Sequence, residues 1–188
     1  MQSPFAGRRG RGLHHGSRRA RRTLAVLAVG LAVGSHWVVE PVRVTSDSMS
    51  PTLSAGDHVI LLRTPWAGTV SRGDVVVVGP GWAERAASTT NAGAQVPTGT
   101  SWVKRVVAVG GDVVGLEDGR LVVDGVPETE PWVDEESMDS VWFGPVAVPA
   151  GAVFVMGDDR SRSVDSRVLG PVLLDELDGR VVTPWPLS

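Results

Sequence analysis

Residues 101–112 read SWVKRVVAVGGD. The β-branched run Val103–Val109 reads as a strand, ended by Gly110 and Gly111. The same signature recurs on both sides. His58–Leu62, Val75–Val78, Leu121–Val123, Val153–Met156 and Val181–Thr183 are short Val-rich runs broken by Gly, Pro and Asp. Asp118–Gly119 and Asp124–Gly125 are hairpin-turn dipeptides around Leu121–Val123. After position 41 no ten-residue stretch carries a persuasive 3.6-residue apolar period, and Val172–Leu177 suits one helical turn. Gly79–Ser101, rich in Ala, Gly, Ser and Thr, reads as a long surface loop, and Glu128–Asp139 as an exposed acidic segment. The expected fold class is all-β: a small barrel or folded sheet.

The chain has 188 residues, enough for one domain with appendages. Hydrophobic content of 42% and 23 Gly fit a folded, turn-rich protein rather than a disordered one. No Cys is present, which excludes disulfides, thiolate metal sites and a Cys nucleophile. Tyr is also absent, so no phenol can serve as acid or base. Charge is unevenly spread. Seven Arg crowd residues 1–22 without an acid, whereas from Pro41 onward the acids outnumber the bases by 20 to 11.

Residues 23–39, TLAVLAVGLAVGSHWVV, carry no formal charge apart from His36. As a helix they would span about 25 Å, slightly short of a hydrocarbon core of about 30 Å. Trp37 suits the membrane interface, and the Arg cluster should stay cytoplasmic, which puts residues 40–188 on the outer side. The expected organisation is a basic arm (1–22), a transmembrane anchor (23–39) and an extracytoplasmic β-rich domain (40–188). A cleaved signal peptide, with Leu24–Leu31 as its apolar region, is the other reading of the same run. Both put the body outside the cytoplasm, and neither favours nucleic acid as a partner.

Three segments have residue types suited to chemistry. Ser46–Leu53, SDSMSPTL, is a polar turn ending in Pro that can present a hydroxyl, although a plain turn has the same composition. Lys104 is the only Lys beside 17 Arg, and it interrupts an apolar strand. Arg holds its proton in a protein, whereas a desolvated Lys can lose it. A Lys snorkelling to the surface, or one spared by a bias towards Arg, would read identically. Residues 157–167, GDDRSRSVDSR, suit a solvated loop or a Ca²⁺ loop of Asp158, Asp159 and Asp165, though the interleaved Arg compete for those carboxylates. A Ser-His-Asp arrangement has one eligible histidine, His58, ten residues after Ser48.

Taken in order after an N-terminal anchor, SDSMSPTL, GDVVV (73–77), VKRVVAVGGD (103–112) and GDDRSRSVDSR resemble the bacterial type I signal peptidases, Ser–Lys proteases that release exported proteins from their leader peptides. The resemblance implies Ser48 as nucleophile, Lys104 as general base, and Ser46 with the Ser48 backbone N–H as oxyanion hole. It implies that Ser163 orients the Lys amine, and that Asp158, Asp165 and Arg167 brace the site. Val42, Val44, Met49, Leu53, Val59 and Val103 fall where the family lines its pockets for small residues, as in Ala-x-Ala. The stretch between Asp112 and Val153 is short, so the resemblance implies that the second domain enlarging some members is reduced to a small β-extension over 113–152. The implied partners are signal peptides of exported preproteins and the lipid bilayer. A monomer is expected, with no cofactor, metal or nucleic acid. Two departures stand out: Asp159 where many members carry Asn, and Asp47 beside the nucleophile, where a charge could alter the oxyanion hole.

Overall fold

The structure is a computed structural model that describes residues 38–64, 67–89, 99–133 and 142–182. The anchor expected over 23–39 lies outside the described residues except for Val38 and Val39, and Val39 opens the first strand. Among the described residues no helix is long and apolar enough to cross a membrane.

The body is mostly β, as its composition implies. In chain order the strands are β1 (Val39–Arg43), β2 (His58–Arg63), β3 (Val75–Val78), β4 (Trp102–Val109), β5 (Val113–Glu117) and β6 (Arg120–Val123). They continue with β7 (Val126–Pro127), β8 (Phe143–Ala147), β9 (Ala152–Met156), β10 (Val172–Leu173) and β11 (Leu177–Val181). Seven form an antiparallel sheet in the order β1-β2-β11-β3-β4-β9-β10, so of the two expected forms this one is open, with β1 and β10 as edges. The extension is a separate antiparallel sheet, β7-β6-β5-β8. Its hairpin turns lie where Asp–Gly marks them. Asp118 and Asp124 take φ of 51° and 55°, and Gly119 and Gly125 follow at 75° and 78°, the left-handed pair that such a turn requires.

Two expectations fail. The stretch read as a loop contains helix α1, Pro80–Thr89. Its Ala-rich composition supports a helix as well as a loop, and the tertiary structure decides: Trp82, Ala83 and Ala86 are buried, with Trp82 packed among Val76, Val78 and Val106. The last long strand runs over Leu177–Val181 and leaves out Val182, while Thr183, the end of the expected strand Val181–Thr183, lies outside the described residues. Its sequence, LDGRV, lacks a Val-rich core, yet β2 and β3 pair with it on either side. The helical turn expected within 172–177 is a 3-10 turn, Leu174–Glu176.

Apolar cores lie on both faces of the large sheet. Val153 and Val155 face the α1 side, while Ala152, Phe154 and Met156 pack with Val114, Leu116 and Leu121 of the extension. This two-sided burial explains why β9 is uninterruptedly apolar. The sheet therefore holds β4 and β9 between two packed layers; β4 carries a candidate site residue, and the chain leaving β9 carries others.

Candidate active site

Ser48 sits in the turn between β1 and β2. That turn is closed by Ser50 N–H donating to the Asp47 carbonyl (2.9 Å) and Leu53 N–H to the Met49 carbonyl (2.8 Å). The Asp47 carboxylate accepts from the Ala55 N–H at 2.9 Å. Its charge is thus engaged in bracing the turn, which answers the concern about a charge at this position.

Lys104 lies on β4, paired through Val76 of β3, on the face that also carries Trp102 and Val106. Only 1% of Lys104 is exposed. Its Nζ stands 2.7 Å from Ser48 Oγ, and the two residues are 56 apart in sequence. Burial pushes the amine down from 10.5 to about 8; Asp165 and Asp158 oppose this by attraction, and Arg167 adds to it by repulsion. Near neutrality such an amine has a usable neutral fraction, and a 2.7 Å pair can then hold with the hydroxyl as donor.

Ser46 Oγ lies 3.3 Å from Ser48 Oγ. The loop after β9 closes over the turn: Asp159 N–H donates to the Ser48 carbonyl at 3.2 Å. Gly157 packs so tightly there that a Cβ would strike Ser163 Oγ and the Ser48 carbonyl oxygen. Ser163 is thus beside the site, its Oγ buried and without a hydrogen-bond partner in this structure. Asp165, fully buried, accepts from Gly157 N–H (3.1 Å) and from Arg167 Nε (2.9 Å), and it caps the short helix α2, Ser166–Leu169. Asp158 is gripped by Arg105 through two hydrogen bonds of 2.9 and 2.7 Å. Asp159 pairs with Arg162, so all three carboxylates considered for Ca²⁺ are taken by guanidinium groups.

Among the pocket candidates, Val44, Met49 and Val59 are buried, while Val42, Leu53 and Val103 keep partial exposure. His58 is exposed on β2, opposite Arg43. The Ser48 hydroxyl is bonded to Lys104 rather than to a histidine. Sequence reading missed three neighbours of these residues. The Trp102 ring lies 5.7 Å from Lys104 Nζ, Arg105 grips Asp158, and Ser166 Oγ accepts from the Val155 N–H at 3.0 Å. The adjacency of Trp102 and Arg105 to the lone Lys was the available signal.

Fold and site together join a β-rich body to a serine hydroxyl held against a buried amine. The family model for signal peptidase, peptidase S26, matches residues 18–186. Signal peptidase I of Bacillus licheniformis is 32% identical over 152 residues, covering 76% of this chain and 74% of that protein. Signal peptidase I of Mycobacterium tuberculosis is 35% identical over 205 residues, with 87% and 69% covered. Signal peptidase I T of Bacillus subtilis is 32% identical over 165 residues, with 82% and 78% covered. A crystal structure of a signal peptidase I from Enterococcus faecalis aligns at a TM-score of 0.47 and 25% identity, over 62% of this chain and 98% of that one. The chain belongs to the signal peptidase family, peptidase S26.

Proposed function

We propose that this chain removes N-terminal signal peptides from exported preproteins through an acyl-enzyme formed on Ser48, with Lys104 as general base. The observation that carries the reading is the 2.7 Å pair between Ser48 Oγ and an amine that is 1% exposed. Neutral Lys104 takes the hydroxyl proton as Ser48 attacks the scissile carbonyl. The resulting ammonium returns that proton to the leaving amine, and the regenerated amine then activates the deacylating water. Ser46 Oγ–H and the Ser48 backbone N–H are the oxyanion donors, a contribution typically worth about 3 kcal/mol. Ser163, with a free buried hydroxyl beside Gly157, is the group we assign to steer the amine.

The substrate is read as an extended strand along β1 and the following turn, with Ala-x-Ala side chains entering shallow recesses lined by Val42, Leu53 and Val103 above Val44, Met49 and Val59. The apolar run that precedes β1 anchors the chain, with the Arg-rich arm cytoplasmic and the peptidase domain outside the cytoplasm, working as a monomer. Such tethering holds the enzyme on the bilayer surface, where preprotein signal segments are concentrated. The test is processing of a preprotein carrying Ala-x-Ala by detergent-solubilised full-length chain and by its Ser48→Ala variant. Undiminished processing by that variant would overturn the assignment.

The pH dependence has a definite sign. Only the neutral amine accepts the Ser48 proton, so kcat/KM should rise with pH, reach half its maximum near the Lys104 value of about 8, and level off above it. A profile already flat between about pH 6 and 9 would mean that Lys104 is not the base.

A further inference from the structure

The extension sheet reaches back to the catalytic loop through one short strap. After β7, Glu128 N–H donates to the Leu121 carbonyl, and Val133 N–H closes a turn on the Glu130 carbonyl at 3.1 Å. The turn sends two side chains inward. The Glu130 carboxylate meets Arg160 Nη2 at 2.5 Å, with only 6% and 4% of the two side chains exposed. Glu130 therefore departs from the exposed acidic segment its surroundings suggest. The Trp132 ring lies 4.3 Å from the Arg105 guanidinium, and a side-chain carbon added at Gly73 would come to 3.9 Å from it.

Each contact leads one residue further, to the catalytic pair. Arg160 Nε donates to the Gly157 carbonyl at 3.0 Å, and the Arg160 carbonyl accepts from Arg167 Nη2 at 2.8 Å. Gly157 abuts the Ser48 carbonyl and Ser163, and Asp159 N–H bonds that same Ser48 carbonyl. On the other side, Arg105 follows Lys104 in β4, grips Asp158, and reaches Thr52 in the Ser48 turn at 3.2 Å. A buried ion pair is a costly way to gain stability, because both charges must be desolvated. It does fix a single geometry, and here the geometry is that of the loop seated on Ser48.

We propose that Glu130 and Trp132 are positioning residues: the strap of the extension sheet holds the 157–167 loop and Arg105 so that Ser48 and Lys104 stay at reacting distance. The inference rests on the Ser48–Lys104 reading and gives the extension a role in catalysis through the enzyme's own loop. Loosening the brace should slow the chemical step and leave substrate affinity nearly unchanged, since neither residue lies among the candidate pocket positions. A misplacement of about 1 Å at reacting groups can cost about 100-fold in rate.

The experiment measures single-turnover processing, KM and Tm for full-length Glu130→Gln and Trp132→Leu. It adds the double variant Glu130→Leu/Arg160→Met, in which apolar side chains of similar size replace the ion pair and are expected to keep the fold. Each single variant should lose about 10- to 100-fold in single-turnover rate, with KM within about twofold. The double variant should regain the wild-type Tm and remain slow, because a thioether in place of the guanidinium cannot donate to the Gly157 carbonyl. A purely structural pair predicts the reverse, with rate recovering alongside Tm. Recovery of the wild-type rate in the double variant, or a loss confined to KM in the single ones, would overturn the brace. Ser48→Ala run in parallel reports on the dyad separately: processing by that variant would overturn the dyad reading instead.

Discussion

Lys104→Met in the full-length chain should abolish preprotein processing and, at neutral pH, raise the stability of the fold. The two effects have one origin. Lys104 is held in an apolar layer that lowers its proton affinity from 10.5 to about 8, which makes the amine a usable base and makes its charged form expensive to bury. At about 1.36 kcal/mol per pH unit, that displacement corresponds to about 3 kcal/mol. The sign follows from proton counting. Between about pH 8 and 10.5 the unfolded chain binds the proton and the folded one does not, so stability from this residue rises with pH through that window. Below about pH 8 both states are protonated and the folded state carries the whole penalty. Met removes the charge while nearly filling the same volume, so its gain in Tm should be larger near pH 6 than near pH 9.5. Lys104→Arg should be inactive for a different reason and less stable than wild type, because a guanidinium stays charged wherever it is placed. Thermal unfolding of the three proteins at the two pH values, with processing assayed in parallel, checks both halves. A Met variant that is less stable near pH 6, or that still processes, contradicts the argument.

Gly157→Ala should fold and yet lose about 100-fold in processing rate. No unusual backbone angle is involved. The reason is space: a methyl group at this position would overlap Ser163 Oγ and the carbonyl oxygen of Ser48. Side chains can rotate away, but the Ser48 carbonyl is backbone and cannot yield without carrying the hydroxyl with it. Overpacking of this kind costs about 1–3 kcal/mol in stability, which the domain should survive. Gly81→Ala is the matched control. Gly81 lies in α1 with nothing within 4 Å of the added carbon, so Ala should raise stability by about 0.5–1 kcal/mol and leave processing unchanged. Equal rates for the two variants would show that the approach of Gly157 to Ser48 is unimportant.

The buried amine was more legible than parts of the fold around it. A single Lys inside an apolar strand is a local anomaly, and a charge at a buried position needs a partner or a purpose wherever the strand ends up. Hairpins 118–119 and 124–125 were legible for a related reason: few sequences other than Asp–Gly tolerate two consecutive left-handed residues, so the dipeptide itself dictates the turn. Helix α1 was not legible, because Ala, Gly, Ser and Thr suit loops and helices alike, and what stabilises this helix is Trp82 buried against a distant sheet. Leu177–Val181 was misplaced because its strand character comes from two neighbouring strands rather than from its own residues. Glu130 was taken for one more solvated acid in an acidic run, and only the approach of Arg160 distinguishes it.

By itself the amino-acid sequence determined the strands with β-branched interiors, the two Asp–Gly turns, and the residue types able to run acyl transfer. These follow from backbone preference and side-chain chemistry, which act within a few residues. The tertiary structure alone decided that Ser48 and Lys104, 56 positions apart, stand 2.7 Å from one another, and that the amine is buried and its charged form disfavoured. Distance across strands and loss of solvent arise only when the sheet is assembled, since neither is a property of any local stretch of chain.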